Sequence, residues 1–235
     1  MARDETVIQL YRNPHAEKPG DYSLHRLPAV ASAILGADAA AWREAPAIEW
    51  GPERYRTRFQ ACWDQAALHV RFDAVDDGPW HTMTKRDEHI WEEEVVEIFL
   101  DLDGSGANYA ELEISPANVV CDLRVERPAP SVKSLTEWDW LGMASTVVPL
   151  RDAHGGAEGW TALARLPWEG LGTLSSQAAS RVPPKAGDRW HFNVFRIKRP
   201  GGPKARNAGA VYAAWSVPDG QSFHVPAKFR PFKFA

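Results

Sequence analysis

Glu97, Glu111 and Glu113 stand inside two stretches otherwise built from Val, Ile, Phe, Leu and Ala, "EEVVEIFLDLD" and "ANYAELEISPAN". Carboxylates among strand-forming residues need water, a basic side chain, a cation or a hydroxyl-rich partner, because like charges side by side repel. Two carboxyl groups flanking one bond are also what glycoside hydrolysis uses. Glu97 with Glu113, or Glu111 with Asp122, offer such pairs, one member raised in pKa by its neighbour. Trp80 and Trp91 precede the first stretch, and Arg86, Asn118 and Arg124 lie near it in sequence. Aromatic faces beside carboxylates, amides and guanidinium groups make up the inventory of a sugar site. Ring C–H faces stack on the aromatic, and hydroxyls hydrogen-bond to the charged planar groups. The competing reading is a plain wetted sheet face.

Other chemistry has weaker support. His81 and His89 flank "TMTKRDE" without helical or hairpin metal spacing and read as a surface loop. Cys62 and Cys121 have no metal-ligand spacing and read as buried free thiols. No G-x-S-x-G, H-E-x-x-H or C-x-x-C-H element occurs.

Strands must position the acids, and strand side chains alternate faces. Val96, Ile98 and Leu100 share the core face, which leaves Glu97 with Val95, Phe99 and Asp101 on the other. In the next strand Leu112 and Ile114 alternate with Tyr109, Glu111, Glu113 and Ser115. A hairpin through "GSG" can place Glu97 near Glu113. A second hairpin joins Tyr55–Asp64 to Ala67–Asp77 across Gln65 and Ala66. "VVCDLRVER", "MASTVVPL", "GWTALARLPW", "RWHFNVFRIKR" and "AVYAAWSV" continue the strand spacing of an antiparallel sandwich. Helical signals are confined to Leu27–Glu44, broken at Gly36, and a short turn over Pro167–Gly172. The expected organisation is all-β: one antiparallel β-sandwich over residues 46–235, with a short, partly helical N-terminal extension, residues 1–45, packed onto it.

Composition narrows the function class. A net charge of −4 with scattered basic residues gives no nucleic-acid footprint. The run "RIKRPGGPKAR" reads as a solvated loop, given its Pro and Gly. The N-terminus lacks a signal-type apolar region and no run has the length of a membrane span. The expectation is a soluble chain, cytoplasmic, or secreted or periplasmic if a leader is missing. Eleven Trp is an unusual number; Trp fills cores, and it also makes flat stacking surfaces.

Six segments in order, "LHVRFDAVDD", "IWEEEVVEIFLD", "YAELEISPAN", "RWHFNVFRI", "AAWS" and "FHVPAKF", give the chain from Ile48 to Ala235 its resemblance to the family 9 carbohydrate-binding modules. These belong to a wider group of jelly-roll-like sandwiches that includes the sugar- or haem-binding DOMON domains. The resemblance implies a sugar clamped between two aromatics at the reducing end of a glycan. Trp91 matches one position and Phe223 the other, where Trp is more usual. Glu97 matches the strand Glu that bonds sugar hydroxyls. The next strand normally offers Arg and Asn, but here it offers Glu113 and Ser115. That departure points to a different sugar, a cationic group, or chemistry.

The family also carries structural calcium, for which Asp76, Asp77, Asp101 and Asp103 are loop oxygen donors. Trp190 and Trp215 match family positions and read as core, while Trp138 and Trp140 line the pocket or cover the core edge. His224 is a candidate polar contact, pointing away from Phe223 if the chain is extended. The expected ligand is a carbohydrate or other small polyhydroxylated molecule, with neither nucleic acid nor membrane as partner. Arg86, Asn118, Arg124 and Trp80 are expected to support the site. The alternatives are a glycoside-active enzyme using Glu97 and Glu113, and haem binding through Met83, Met143, His81 or His89.

Overall fold

The structure is a computed structural model that describes residues 10–12, 19–127 and 131–235. Residues 1–9 and 13–18 of the expected N-terminal extension lie outside the described residues. The early strands are β1 (Leu10–Tyr11), β2 (Tyr22–Arg26), β3 (Ala47–Trp50), β4 (Thr57–Trp63) and β5 (Ala67–Val75). The middle strands are β6 (Val95–Asp101), β7 (Asn108–Ile114), β8 (Val120–Glu126) and β9 (Lys133–Leu135). They are followed by β10 (Ala144–Arg151), β11 (Ala157–Pro167), β12 (Arg189–Lys198), β13 (Val211–Ala214) and β14 (Arg230–Phe234).

The expected all-β sandwich forms. One layer runs β10-β11-β5-β4, with β3 also on β4. The other runs β14-β12-β6-β7-β8-β9, with β13 sharing the β14 edge of β12. Between the layers Phe59, Phe72 and Trp160 meet Ile98, Leu112 and Phe192, all buried. The β4–β5 hairpin pairs as its two-residue connection predicts, with Trp63 opposite Leu68.

The N-terminal extension does more than pack on the sandwich. β2 pairs in parallel with β14 on one side and β4 on the other, so it joins the two layers into one curled sheet. Tyr22 and Leu24 are buried in the core between them. The pairing is therefore mixed rather than wholly antiparallel.

The helix expected over Leu27–Glu44 shrinks to α1, Ala41–Glu44. Tertiary partners claim the backbone upstream. The Ala31 amide donates to Asp64, its carbonyl accepts from Arg165, and the Ala37 carbonyl accepts from Arg71. Those bonds override a weak local propensity. The turn expected near Pro167 is α2, Trp168–Gly172, and a further turn, α3, covers Ser176–Ala179. Among the described residues no helix is long and apolar enough to cross a membrane.

The second layer is buried on both faces. On its outer side Val95, Phe99, Tyr109, Leu123 and Phe195 form a separate apolar cluster with Phe229, and Trp91 and Phe223 pack against it. Every residue of β6 is buried, Glu97 and Asp101 on the outer face included.

Candidate functional site

The register of β6 on β7 sets Glu97 directly opposite Glu113, and Phe99 opposite Glu111. The connecting turn fixes that register. Asp101 accepts from the amides of Gly104 and Gly106, both of which need positive φ. A Cβ on Gly106 would sit 2.8 Å from Pro226 Cβ, so this glycine also lets residues 222–229 close over the sheet.

All three glutamates are buried on the outer face, and one oxygen of each lies within 4.8 Å of the others. Glu97 Oε1, Glu111 Oε2 and Glu113 Oε2 have no hydrogen-bond partner. Burial raises all three pKa values, Glu111 to about 8 and Glu97 and Glu113 well above the usual carboxylate range. Glu111 adds to the rise of Glu97, and both neighbours add to that of Glu113. Glu113 also hydrogen-bonds Glu111 and accepts from the Trp91 amide. Among the described residues neither Lys nor Arg forms an ion pair with the three. A basic neighbour is His224, whose Nδ1 lies 4.0 Å from Glu111 Oε2.

Two segments cover the acids. The 3-10 turn Ile90–Glu92 carries Trp91, half-buried, with the His89 ring stacked on it at 4.4 Å. The other segment brings Phe223 onto Phe195 at 4.3 Å, and Phe195 is the β12 neighbour of Glu97. His224 stacks on Phe99 at 5.2 Å, and its Nδ1 meets the Tyr109 hydroxyl at 2.8 Å. His224 therefore faces the same cluster as Phe223, against the expectation that it points away. The chain is turned there, with the Val225 amide donating to the Phe223 carbonyl. Burial, then Arg127, lowers the His224 pKa to about 4, so the ring is neutral at pH 7.

Several expected site residues lie elsewhere. Asp122 pairs with Leu112, on the core side of the sheet, so Glu111 and Asp122 cannot flank one bond. Arg86 binds Asp122 and Asp139. Arg124 shares the Asp122 side and pairs with Glu126 at 2.7 Å. Asn118 sits in the β7–β8 turn, bonded to Ser145. Trp80 donates to the Arg199 carbonyl at 2.6 Å. Alternation and turn geometry carry these four away from the acids although they are close in sequence. Trp138, Trp140 and Trp190 are buried in the main core and Trp215 packs against it. Met143 packs there too, whereas Met83 packs on the outer cluster, so the two cannot ligate one haem.

Asp76, Asp77, Asp101 and Asp103 do not converge. Asp76 bonds Arg196 and Lys198, Asp77 bonds Arg54, and Asp101 and Asp103 hold turn amides. Among the described residues, two acidic groups do converge. One is the glutamate trio. The other is Asp87, Asp122 and Asp139, which surrounds the Arg86 guanidinium.

The sequence reading missed the part played by "RIKR". Arg196 and Lys198 are buried in β12, and Arg199 is buried just beyond it; none belongs to a solvated loop. Arg199 donates to the carbonyls of Trp91 and Glu93, which anchors the Trp91 turn. Glu93 accepts from the amides of Thr82 and Met83. The available signal was strand parity, since Arg196 and Lys198 continue the face of Trp190, Phe192 and Val194, which reads as core.

Residues 37–121 match a family model described as carbohydrate family 9 binding domain-like. A family 9 carbohydrate-binding module from Caldicellulosiruptor kristjanssonii, solved with glucose, superposes with TM-score 0.64 over 92% of this chain and 95% of that one, at 16% identity. Its complex with cellotriose gives TM-score 0.63, again at 16% identity, over 91% and 93% of the two chains. A solved Bacteroides uniformis protein gives TM-score 0.70 at 13% identity, covering 92% of this chain and 99% of that one.

This chain has the family 9 carbohydrate-binding module-like fold.

An Arthroderma benhamiae protein described as an extracellular protein is 28% identical over 185 residues, 76% of this chain and 78% of its own. The family 9-like region matched in sequence ends at Cys121, so it contains the Trp91 turn and all three glutamates but not Phe223 or His224.

Proposed function

We propose that this protein binds carbohydrate on the outer face of its second layer, between Trp91 and Phe223, with Glu97 and Glu113 accepting from the ligand. The observation that carries the reading is the placement of three carboxyl groups, each with one unpartnered oxygen, beneath two aromatic-bearing segments on one sheet face. An aromatic gives a sugar ring its contact area, and a carboxylate gives its hydroxyls short, strong bonds. The Caldicellulosiruptor module solved with glucose and cellotriose shares the fold and supports the same class of ligand. An extracellular or periplasmic setting goes with this reading and with the extracellular Arthroderma relative.

Cleavage fits the geometry less well. Hydrolysis needs two carboxyl groups on opposite sides of the scissile bond. Here the acids lie shoulder to shoulder, with oxygens within 4.8 Å on one face.

Isothermal titration calorimetry against a panel of mono- and oligosaccharides tests the proposal. Saturable heat at a fixed stoichiometry is expected, and Trp91→Ala should weaken it at least tenfold, about 1.4 kcal/mol, with the fold intact by circular dichroism. Unchanged affinity in that variant would refute the site. Sustained heat after each injection would instead mean turnover.

A further inference from the structure

Resting on that reading, we infer that the site selects a carbohydrate carrying a free, protonated amine, with the ammonium group seated among Glu97, Glu111 and Glu113. The three carboxylates converge, are buried, and each leaves one oxygen without a hydrogen bond. An ammonium group has three N–H donors and a positive charge. It therefore matches the site both in hydrogen-bonding number and in sign. A neutral hydroxyl offers one donor and brings no charge to let the acids ionise.

Two other acid clusters of this protein, around Asp76 with Glu94 and around the buried Asp122, show what is missing. Lys198 lies 2.7 Å from Asp76 and 2.8 Å from Glu94. Arg86 lies amid Asp87, Asp122 and Asp139. The glutamate trio has no such internal cation among the described residues, and its neighbour His224 stays neutral.

A metal ion suits the surroundings less. Around the trio on this face are Val95, Phe99, Phe195, Cys121 and Leu123. Calcium takes six to eight oxygens, and these side chains supply none. The same apolar surface suits the C–H face of a pyranose ring. Access requires Phe223 and His224, both half-buried, to swing from the sheet while the strands stay paired.

The test is titration calorimetry at pH 7 on chelator-treated protein. The probes are glucosamine, its β-1,4-linked dimer, glucose, cellobiose, N-acetylglucosamine, and manganese or calcium chloride alone. Glucosamine or its dimer should bind at least tenfold more tightly than the matched neutral sugar and the N-acetylated form. Glu113→Gln and Glu97→Gln should each cut that ratio below threefold. Their melting temperatures, unchanged or raised, would show that they fold.

Equal affinity for glucose and glucosamine would overturn the inference and leave carbohydrate binding standing. Saturable metal binding without amine preference would assign the trio to a metal and also overturn it. Failure of every sugar would remove the underlying reading as well.

Discussion

Strand β6 separates two buried acid clusters that begin three residues apart and solve the same problem differently. On the core side Glu94 joins Asp76, Arg196 and Lys198, two negative and two positive groups. Lys198 bridges both acids, and Arg196 reaches Asp76 at 2.5 Å. Arg196 also lies over the Trp160 ring at 4.7 Å and Lys198 over Tyr55 at 5.4 Å. On the outer side Glu97, Glu111 and Glu113 are all acids, with no internal cation among the described residues. Burying charge is costly unless it is paired. The first cluster offsets its charge inside the chain, although Arg196 Nε and Nη1 find no hydrogen-bond partner. The second takes up protons when empty and leaves room for a ligand to resolve it.

The strongest way to break this comparison is to remove a cation from the balanced cluster. Arg196→Met should destabilise the fold by about 3 to 5 kcal/mol in urea unfolding, because it leaves Lys198 as one cation for two buried carboxylates. A loss below about 1 kcal/mol would mean that the core-side charges are not tightly coupled.

The pH dependence of stability should come next. For Glu97, Glu111 and Glu113 the folded pKa lies above the unfolded value of 4.5, so the native state holds extra protons. Stability is then greatest near the unfolded pKa and falls as pH rises, for Glu111 across the window from 4.5 to about 8. Asp101 and Asp122, each raised by burial to about 6, add to the fall at its lower end. Asp76 acts in the opposite sense. Burial raises its pKa, but Arg196 and Lys198 bring it below 3.8, so its contribution is present above that value and lost in acid. Thermal melts from pH 5 to 8 should show a falling midpoint, with a slope of up to about 1.4 kcal/mol per pH unit for each group. Glu111→Gln should flatten the slope, and an equally steep slope in that variant would place the titration elsewhere.

Phe223→Ala sharpens the comparison on the ligand side. It should weaken sugar binding about three- to tenfold, less than Trp91→Ala, because Phe offers a smaller stacking face than Trp. Titration calorimetry would read it, and a larger loss than in Trp91→Ala would reverse the ranking of the two walls. The smallest expected effect is that of calcium. Its addition or chelation should move the melting midpoint by less than about 1 °C, since Asp76 and Asp77 already bind cationic side chains.

Much of this was legible from residue alternation. Val96, Ile98 and Leu100 against Glu97, and Leu112 against Glu111 and Glu113, placed the acids on one face, and the hairpin turn brought Glu97 opposite Glu113. The two-residue link at Gln65 and Ala66 fixed the β4–β5 register. The expectation failed where proximity along the chain stood in for proximity in space. Arg86, Asn118 and Arg124 lie near the acids in sequence, yet strand parity and the β7–β8 turn direct them to other partners. His224 was misplaced because a tight turn replaced extended chain.

By itself the sequence determined the all-β class and the face bearing the glutamates, because alternation and turn chemistry are local, while the covering role of Trp91 and Phe223 was implied only by the resemblance to the family 9 modules. Only the tertiary structure decided that the outer face is buried, that β2 joins the two layers, and that Arg196 and Lys198 neutralise Asp76 and Glu94 rather than the glutamate trio. Those outcomes depend on which distant segments share one small volume, and burial there turns ordinary carboxylates into groups that need a proton or a cation.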